Sequence, residues 1–185
     1  MNEMKRRMLA GEWYCANDPE LALERERCAV LVEQYNATSA TEAGRRAELL
    51  GQLLCGIGAH TVIRPPVYFD YGYQTTIGSK TFINYGAIIL DVGQVCIDDE
   101  VQVGPRVQLL TPTHPMDAAQ RRLGWEAQKP ITIGHGAWLG GGVIVCPDVT
   151  IGEDAVIGAG AVVTHDVPPR VFAADNPCRV LRDLC

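Results

Sequence analysis

From Ile131 to Ala174 the chain places an aliphatic residue at every sixth position: Ile133, Leu139, Val145, Ile151, Ile157 and Val163 share one phase. A small residue follows most of them (Gly134, Gly140, Gly152, Gly158), and a small or β-branched residue recurs three positions after that (Ala137, Val143, Val149, Ala155, Ala161). An even period returns the marked residues to one face of successive short strands, because strand side chains alternate between two sides. One rung cannot bury its aliphatic side chain alone, so the rungs must stack into a solenoid with a continuous apolar interior. An amphipathic helix needs spacings of three and four, and a glycine-studded stretch is a poor helix former. A sandwich built of hairpins would vary its spacing. The period predicts an all-β parallel β-helix.

The same grammar starts at Ile57-Gly58, passes through Ile63 and Phe69, and resumes at Ile77, Ile83 and Ile89. Two extra residues then precede Ile97, Val103 and Leu109. From Leu109 to Ile133 the phase is kept, yet residues 112–130 lack the aliphatic marks, so a loop is expected to leave the solenoid there. Long departures from a rigid scaffold are where function sits.

Residues 1–55 read instead as an α-helical cap, leaving 56–185 as the β-helix domain. Glu3 to Ala10 suits a short helix closed by Gly11, and Asp18-Pro19 is an N-cap acid followed by proline at the first helical position. Leu21, Cys28, Leu31, Val32 and Tyr35 then form an apolar stripe that ends at Asn36. Ser39 with Glu42 resembles a capping box for a third helix whose inner face is Ala47, Leu50, Leu53 and Leu54. These helices are expected to cover the open end of the solenoid.

Aromatics make up only 6% of the chain, which suits a thin solenoid filled with Val, Ile and Leu. A formal net charge of -6 with no basic stripe argues against nucleic acid. No apolar run reaches the length of a signal sequence or a membrane span, so a cytoplasmic protein is expected. Seven scattered cysteines without a CxxC pair suit reduced thiols, with Cys96 and Cys146 at small-residue positions of the repeat as packing residues.

His114 lies at the entrance of the 112–130 segment, with Asp117, Arg121, Arg122, Trp125 and Glu126 beyond it. Imidazole is the side chain best suited to taking a proton near neutral pH, although taken alone His114 is an ordinary loop histidine. His60 and His135 occupy variable repeat positions where exposure is the default. The four histidines have no ligand spacing, so no metal is expected, and neither a GxSxG elbow nor a P-loop is present.

Across almost its whole length the chain resembles the hexapeptide-repeat sugar O-acetyltransferases, and within them the maltose-type branch. The resemblance rests on Ala10-Gly11-Glu12 with Tyr14, Arg25 and Arg27, Tyr35-Asn36, Asp70-Tyr71-Gly72-Tyr73, Asn84 and Leu90-Asp91-Val92. It continues through Thr113-His114-Pro115-Met116-Asp117, Gly124, Glu126, Lys129-Pro130, Trp138, Gly158-Ala159-Gly160 and Asn176-Pro177-Cys178-Arg179.

That resemblance implies a left-handed β-helix, a homotrimer with active sites between subunits, and acetyl-CoA as co-substrate. It makes His114 the general base that deprotonates a hydroxyl of a sugar such as maltose or glucose for direct attack on the thioester. Asn84, Asp70, Arg25 and Arg27 fall where the family lines its acceptor site, with Asp91 a further candidate. Glu126 falls where it would orient the base or the sugar. Gly141 matches the position whose backbone N–H supports the oxyanion. Trp138, Ala159, Thr164, His165, Arg179 and Arg182 fall at the coenzyme A end. Gly141 stands where galactoside relatives carry serine, His165 where many relatives carry lysine, and Asp175 where glycine is usual.

Two other readings stay open on the residues: a galactoside, antibiotic or amino-sugar acceptor, and a non-catalytic β-helix scaffold. A scaffold has no need to interrupt its repeat with a histidine-bearing loop.

Overall fold

The computed structural model describes residues 1–184; Cys185, one of the seven cysteines, lies outside them. Three parallel sheets wrap around one apolar interior. The first sheet stacks Gly56–Ile57, Thr75–Ile77, Val95–Ile97, Ile131–Ile133 and Val149–Ile151. The second stacks Val62–Ile63, Phe82–Ile83, Gln102–Val103, Trp138–Leu139, Val156–Ile157 and Val171–Ala174, and Arg179–Asp183 closes it in antiparallel sense. The third stacks Val67–Phe69, Ala87–Leu90, Gln108–Leu110, Ile144–Val145 and Val162–Val163.

Every sixth-position residue of the repeat falls into a column. Ile57, Ile77, Ile97, Ile133 and Ile151 are successive partners in the first sheet. Ile63, Ile83, Val103, Leu139 and Ile157 are partners in the second. Phe69, Ile89, Leu109, Val145 and Val163 follow in the third. All but Ile57, which is half-buried at the bottom rung, are buried. Burying a side chain of this size contributes about 1.5 to 3 kcal/mol, so the columns are the main source of stability.

Sharp corners need left-handed backbone. Gly136 adopts φ +67°, and a Cβ there would lie 2.3 Å from Asp154 Oδ1 on the next rung. The corner from the third sheet back to the first is wider in the two lower coils, because eight residues rather than six separate Phe69 from Ile77 and Ile89 from Ile97. The extra length forms the turns at 70–74 and 91–94.

The helices are α1 (Glu3–Leu9), α2 (Pro19–Asn36), α3 (Ala43–Leu53) and α4 (Ala118–Arg122). Asp18 caps α2 by accepting from the backbone N–H groups of Glu20 and Leu21, with Pro19 in the first turn. Cys28, Val32 and Tyr35 of α2, with Leu49, Leu50 and Leu53 of α3, join the solenoid core and cover its open end. Ala47 is exposed and Leu49 takes its expected place on the inner face. Ser39 does not cap α3. The Glu42 carboxylate accepts from the Ser39 N–H, but the Ser39 hydroxyl accepts from Thr41 N–H instead of a helix donor, so a separate turn precedes α3.

The cap does more than close the end. Met8 of α1 and Tyr14 belong to a second small core with Leu21, Tyr71 and Val92. Tyr14–Cys15 pairs antiparallel with Trp125–Gln128, which pairs in turn with Pro112–Thr113. The segment expected as a loop is therefore an arm with its own strands and α4, latched to the N-terminal segment. Cys96 is corrected as well: it faces outward between buried Val95 and Ile97 and packs in no core, whereas Cys146 packs against the interior. The six cysteines among the described residues are free thiols. No helix among the described residues is long and apolar enough to cross a membrane.

Candidate active site

The expected site residues fall into two groups on opposite edges of the third sheet. One group gathers at the corner between the third and first sheets, where the wide turns and the arm stack over one another. The Asp70 carboxyl sits half-buried there, and burial, then the charges of Asp91 and Glu126, push it up to about 6 from an ordinary 3.8, while Arg25 opposes the shift. Arg25 donates from Nη1 to the Tyr71 hydroxyl at 2.8 Å and from Nη2 to the Ala16 carbonyl at 2.9 Å. Its guanidinium is thus held close enough to the corner to oppose the rise of the Asp70 carboxyl.

Asp91 is fully buried. Its carboxylate accepts from the backbone N–H groups of Asp70 and Tyr71 and from the Thr75 hydroxyl, at 2.9 to 3.2 Å. Burial nonetheless raises its carboxyl. Asp91 therefore shapes the turn that presents Asp70 and does not face an acceptor. Arg27 is not brought to this corner within one chain. Residues two apart on an α-helix point about 200° apart, so Arg27 leaves the face that carries Arg25. It is exposed and makes no side-chain hydrogen bond or ion pair among the described residues.

His114 follows Thr113 at the base of the arm and is exposed. The antiparallel register that sets Pro112 opposite Gln128 and Thr113 opposite Ala127 leads, one step further, to His114 opposite Glu126. Glu126 accepts a hydrogen bond from the Tyr14 hydroxyl. Further along the same corner, Thr164 and His165 line a depression of about 640 Å³ with Thr113, Lys129, Asp148 and Asp166. The Thr164 hydroxyl and His165 Nδ1 are 2.9 Å apart.

The second group lies across the third sheet. Asn84, Trp138, Gly141 and Ala159 line one groove of about 440 Å³ on the outer face of the second sheet, with Phe82 and Phe172. Gly140 lets two rungs approach there, since a Cβ would lie 2.6 Å from the Ala159 nitrogen. The N–H groups of Gly140 and Gly142 are bonded to Ile157 and Pro105 carbonyls, while no hydrogen bond among the described residues uses the Gly141 N–H. Arg182 stacks on Phe172 at 5.7 Å at the upper end, and Arg179 on the same strand is exposed with one contact to the Cys178 carbonyl.

Two contacts that flank these groups were not anticipated at the level of sequence. Arg64 lies one rung under Asn84 and stacks on both Phe82 and Tyr85, at 5.1 and 5.0 Å. A position-by-position reading of the repeat column would have found it. Tyr71 holds Arg25, and its hydroxyl is pushed up to about 12 by burial; only the tertiary contact shows this.

The pattern described as a maltose acetyltransferase hexapeptide capping motif matches residues 7–58, and the six-repeat bacterial transferase hexapeptide pattern matches residues 130–165. Nodulation protein L of Rhizobium leguminosarum bv. viciae is 47% identical over 95% of this chain and 93% of its own length. A maltose O-acetyltransferase from Clostridium difficile 630 superposes with a TM-score of 0.96 at 43% identity, covering 98% of this chain and 97% of that one. A galactoside acetyltransferase solved in complex with coenzyme A gives a TM-score of 0.95 at 36% identity, covering 100% and 92%. The chain belongs to the hexapeptide-repeat acetyltransferase family, the family of the maltose and galactoside O-acetyltransferases.

Proposed function

We propose that this protein transfers the acetyl group of acetyl-CoA to a hydroxyl of a sugar such as maltose or glucose, with His114 as general base, in a trimer whose sites lie between subunits. The observation that carries the reading is the position of His114, exposed and one residue past the strand that pairs with Trp125–Gln128, while Glu126 of that strand lies close enough to the corner of Asp70, Arg25 and Tyr71 to raise the Asp70 carboxyl. Coenzyme A in a neighbour at 36% identity supports the co-substrate. The open groove of Trp138, Gly141 and Ala159 fits the cofactor's extended arm.

In the reaction His114 takes the proton of the acceptor hydroxyl as its oxygen attacks the thioester carbonyl. The Gly141 N–H, free of backbone partners, donates to the developing oxyanion. The intermediate collapses by breaking the carbon–sulfur bond, and the imidazolium returns the proton to the thiolate. The products are an acetylated sugar and free coenzyme A. Asn84 and His114 lie on opposite sides of the third sheet within one chain, and the outer face between them carries Tyr68, Ile88, Gln108, Ile144 and Val162, all exposed or half-buried and, apart from Gln108, largely apolar. An apolar sheet face of that kind suits a self-association surface.

The test is thiol release from acetyl-CoA against a panel of sugars, with wild type and His114→Asn. Sugar-dependent release that the variant loses supports the reading. No release with any acceptor supports the scaffold.

A further inference from the structure

The reaction assigns the proton to His114 but gives Glu126 no part, and it leaves unexplained why a strand near the N-terminus pairs with the arm. The ring of Tyr14 is 1% exposed, packed with Met8, Leu21, Tyr71 and Val92. Its hydroxyl donates to Glu126 Oε1 at 2.5 Å, and the same two residues face each other in the backbone pairing of 14–15 with 125–126. The contact spans 112 positions of sequence. Burial, and then the hydrogen bond to Glu126, push the Tyr14 hydroxyl well above the ordinary tyrosine range, so it remains a donor at any physiological pH.

On the other side of the 125–128 strand, the register that pairs Thr113 with Ala127 leads to His114 opposite Glu126. Cross-strand partners point to the same face of a sheet. Glu126 is therefore flanked by Tyr14 on one side, and on the other by the strand Pro112–Thr113, whose register continued by one residue brings the chain to His114. A carboxylate has two oxygens with several acceptor sites between them, so one occupied by the phenol leaves the other for the imidazole.

We propose that Tyr14 is a positioning residue: by anchoring one oxygen of Glu126 it aims the other at a ring N–H of His114, which fixes the tautomer that presents the opposite nitrogen to the acceptor hydroxyl. The proposal rests on the reading of His114 as the base. Tyr14 touches no reacting atom and gives up no proton. Its part is to remove the rotamer freedom of Glu126, since a second partner that holds a histidine's orienting group costs activity when lost, as with the outer partners of other histidine sites. The N-terminal strand is then a component of the catalytic apparatus and not only a lid on the solenoid.

Tyr14→Phe in the full chain deletes the hydroxyl and keeps the ring. Followed by thiol release, it should lower kcat about tenfold and leave KM for acetyl-CoA unchanged. Glu126→Gln should lower kcat by a similar factor or more. In the double variant the two losses should not multiply, because both act through one orientation of His114. Full kcat in Tyr14→Phe, or losses that multiply, would overturn the proposal. Should Tyr14→Phe not fold by circular dichroism, the ¹⁵N shifts of the His114 ring in wild-type protein decide the matter. A single tautomer is expected and a mixture sinks the idea. Wild-type protein that acetylates no sugar defeats the enzymatic reading, while the tautomer measurement still reports on Tyr14.

Discussion

Asn84 and His114 stand at opposite edges of the third sheet: Asn84 directly follows the second-sheet strand Phe82–Ile83, and His114 lies past the far end of the third-sheet strand Gln108–Leu110. In the proposed trimer, a site that uses both residues takes them from two chains. Mixing the inactive variants Asn84→Ala and His114→Asn after dissociation and reassembly should restore activity to about a quarter of wild type. That is the fraction of interfaces in a random cyclic mixture where an intact Asn84 meets an intact His114. Failure to recover any activity from reassembled mixtures would place the site within one chain.

His114→Asn should reduce kcat by roughly a hundredfold or more, the range for loss of a general base. The side chain is exposed, so the melting temperature should stay within about a degree or two of wild type. Full activity in the folded variant would remove His114 from the mechanism.

Asp70 gives a pH dependence with a definite sign. Its carboxyl titrates near 6 in the fold against an ordinary 3.8, chiefly because burial disfavours the charged form. Below about pH 3 both states hold the proton and Asp70 costs nothing. As pH rises towards 6 the unfolded chain releases its proton first, and above 6 the full penalty is present, on the order of 2 to 3 kcal/mol at most. Asp70→Asn should therefore raise the melting temperature at pH 7 and leave it unchanged at about pH 2.5, while weakening acceptor use. Equal melting curves at both pH values would show that the carboxylate carries no such penalty.

Gly136→Ala tests the corner geometry. Its φ of +67° and the 2.3 Å approach of a Cβ to Asp154 Oδ1 should cost about 1 to 3 kcal/mol, read as a melting temperature lower by several degrees. Because the first-to-second-sheet corner is on the opposite side of the second sheet's strands from Asn84 and away from His114, kcat of the folded variant should fall less than tenfold, with any loss appearing in KM for acetyl-CoA through Trp138.

A face-breaking change on the third sheet tests the assembly surface. Ile144→Asp puts a charge on its outer face without touching the interior column, where Val145 is buried. The expected result is a monomer by light scattering with kcat reduced at least tenfold. A variant that stays oligomeric and fully active would exclude this face.

The six-residue period alone determined the solenoid, the inward columns and the phase that survives the arm, because alternation of side chains is a property of neighbouring residues. The cap of α2 by Asp18 and Pro19 was legible for the same reason: its bonds run to Glu20 and Leu21. The break in the period marked where the arm leaves the solenoid, and the role of His114 came only from the family resemblance. Tertiary structure decided what those local signals do not encode. Tyr14 reaches Glu126 across 112 positions, so neither the arm's third strand nor its latch leaves a mark in local spacing. Asp91 and Asp70 look alike in sequence, yet three donors and complete burial make one a brace while the other stays at the corner. Arg25 and Arg27 stand two residues apart, and helix geometry turns only Arg25 toward that corner. The division of the site between two edges of one sheet follows from how rungs stack. That register is set by burial of the whole interior, and no single hexad contains it.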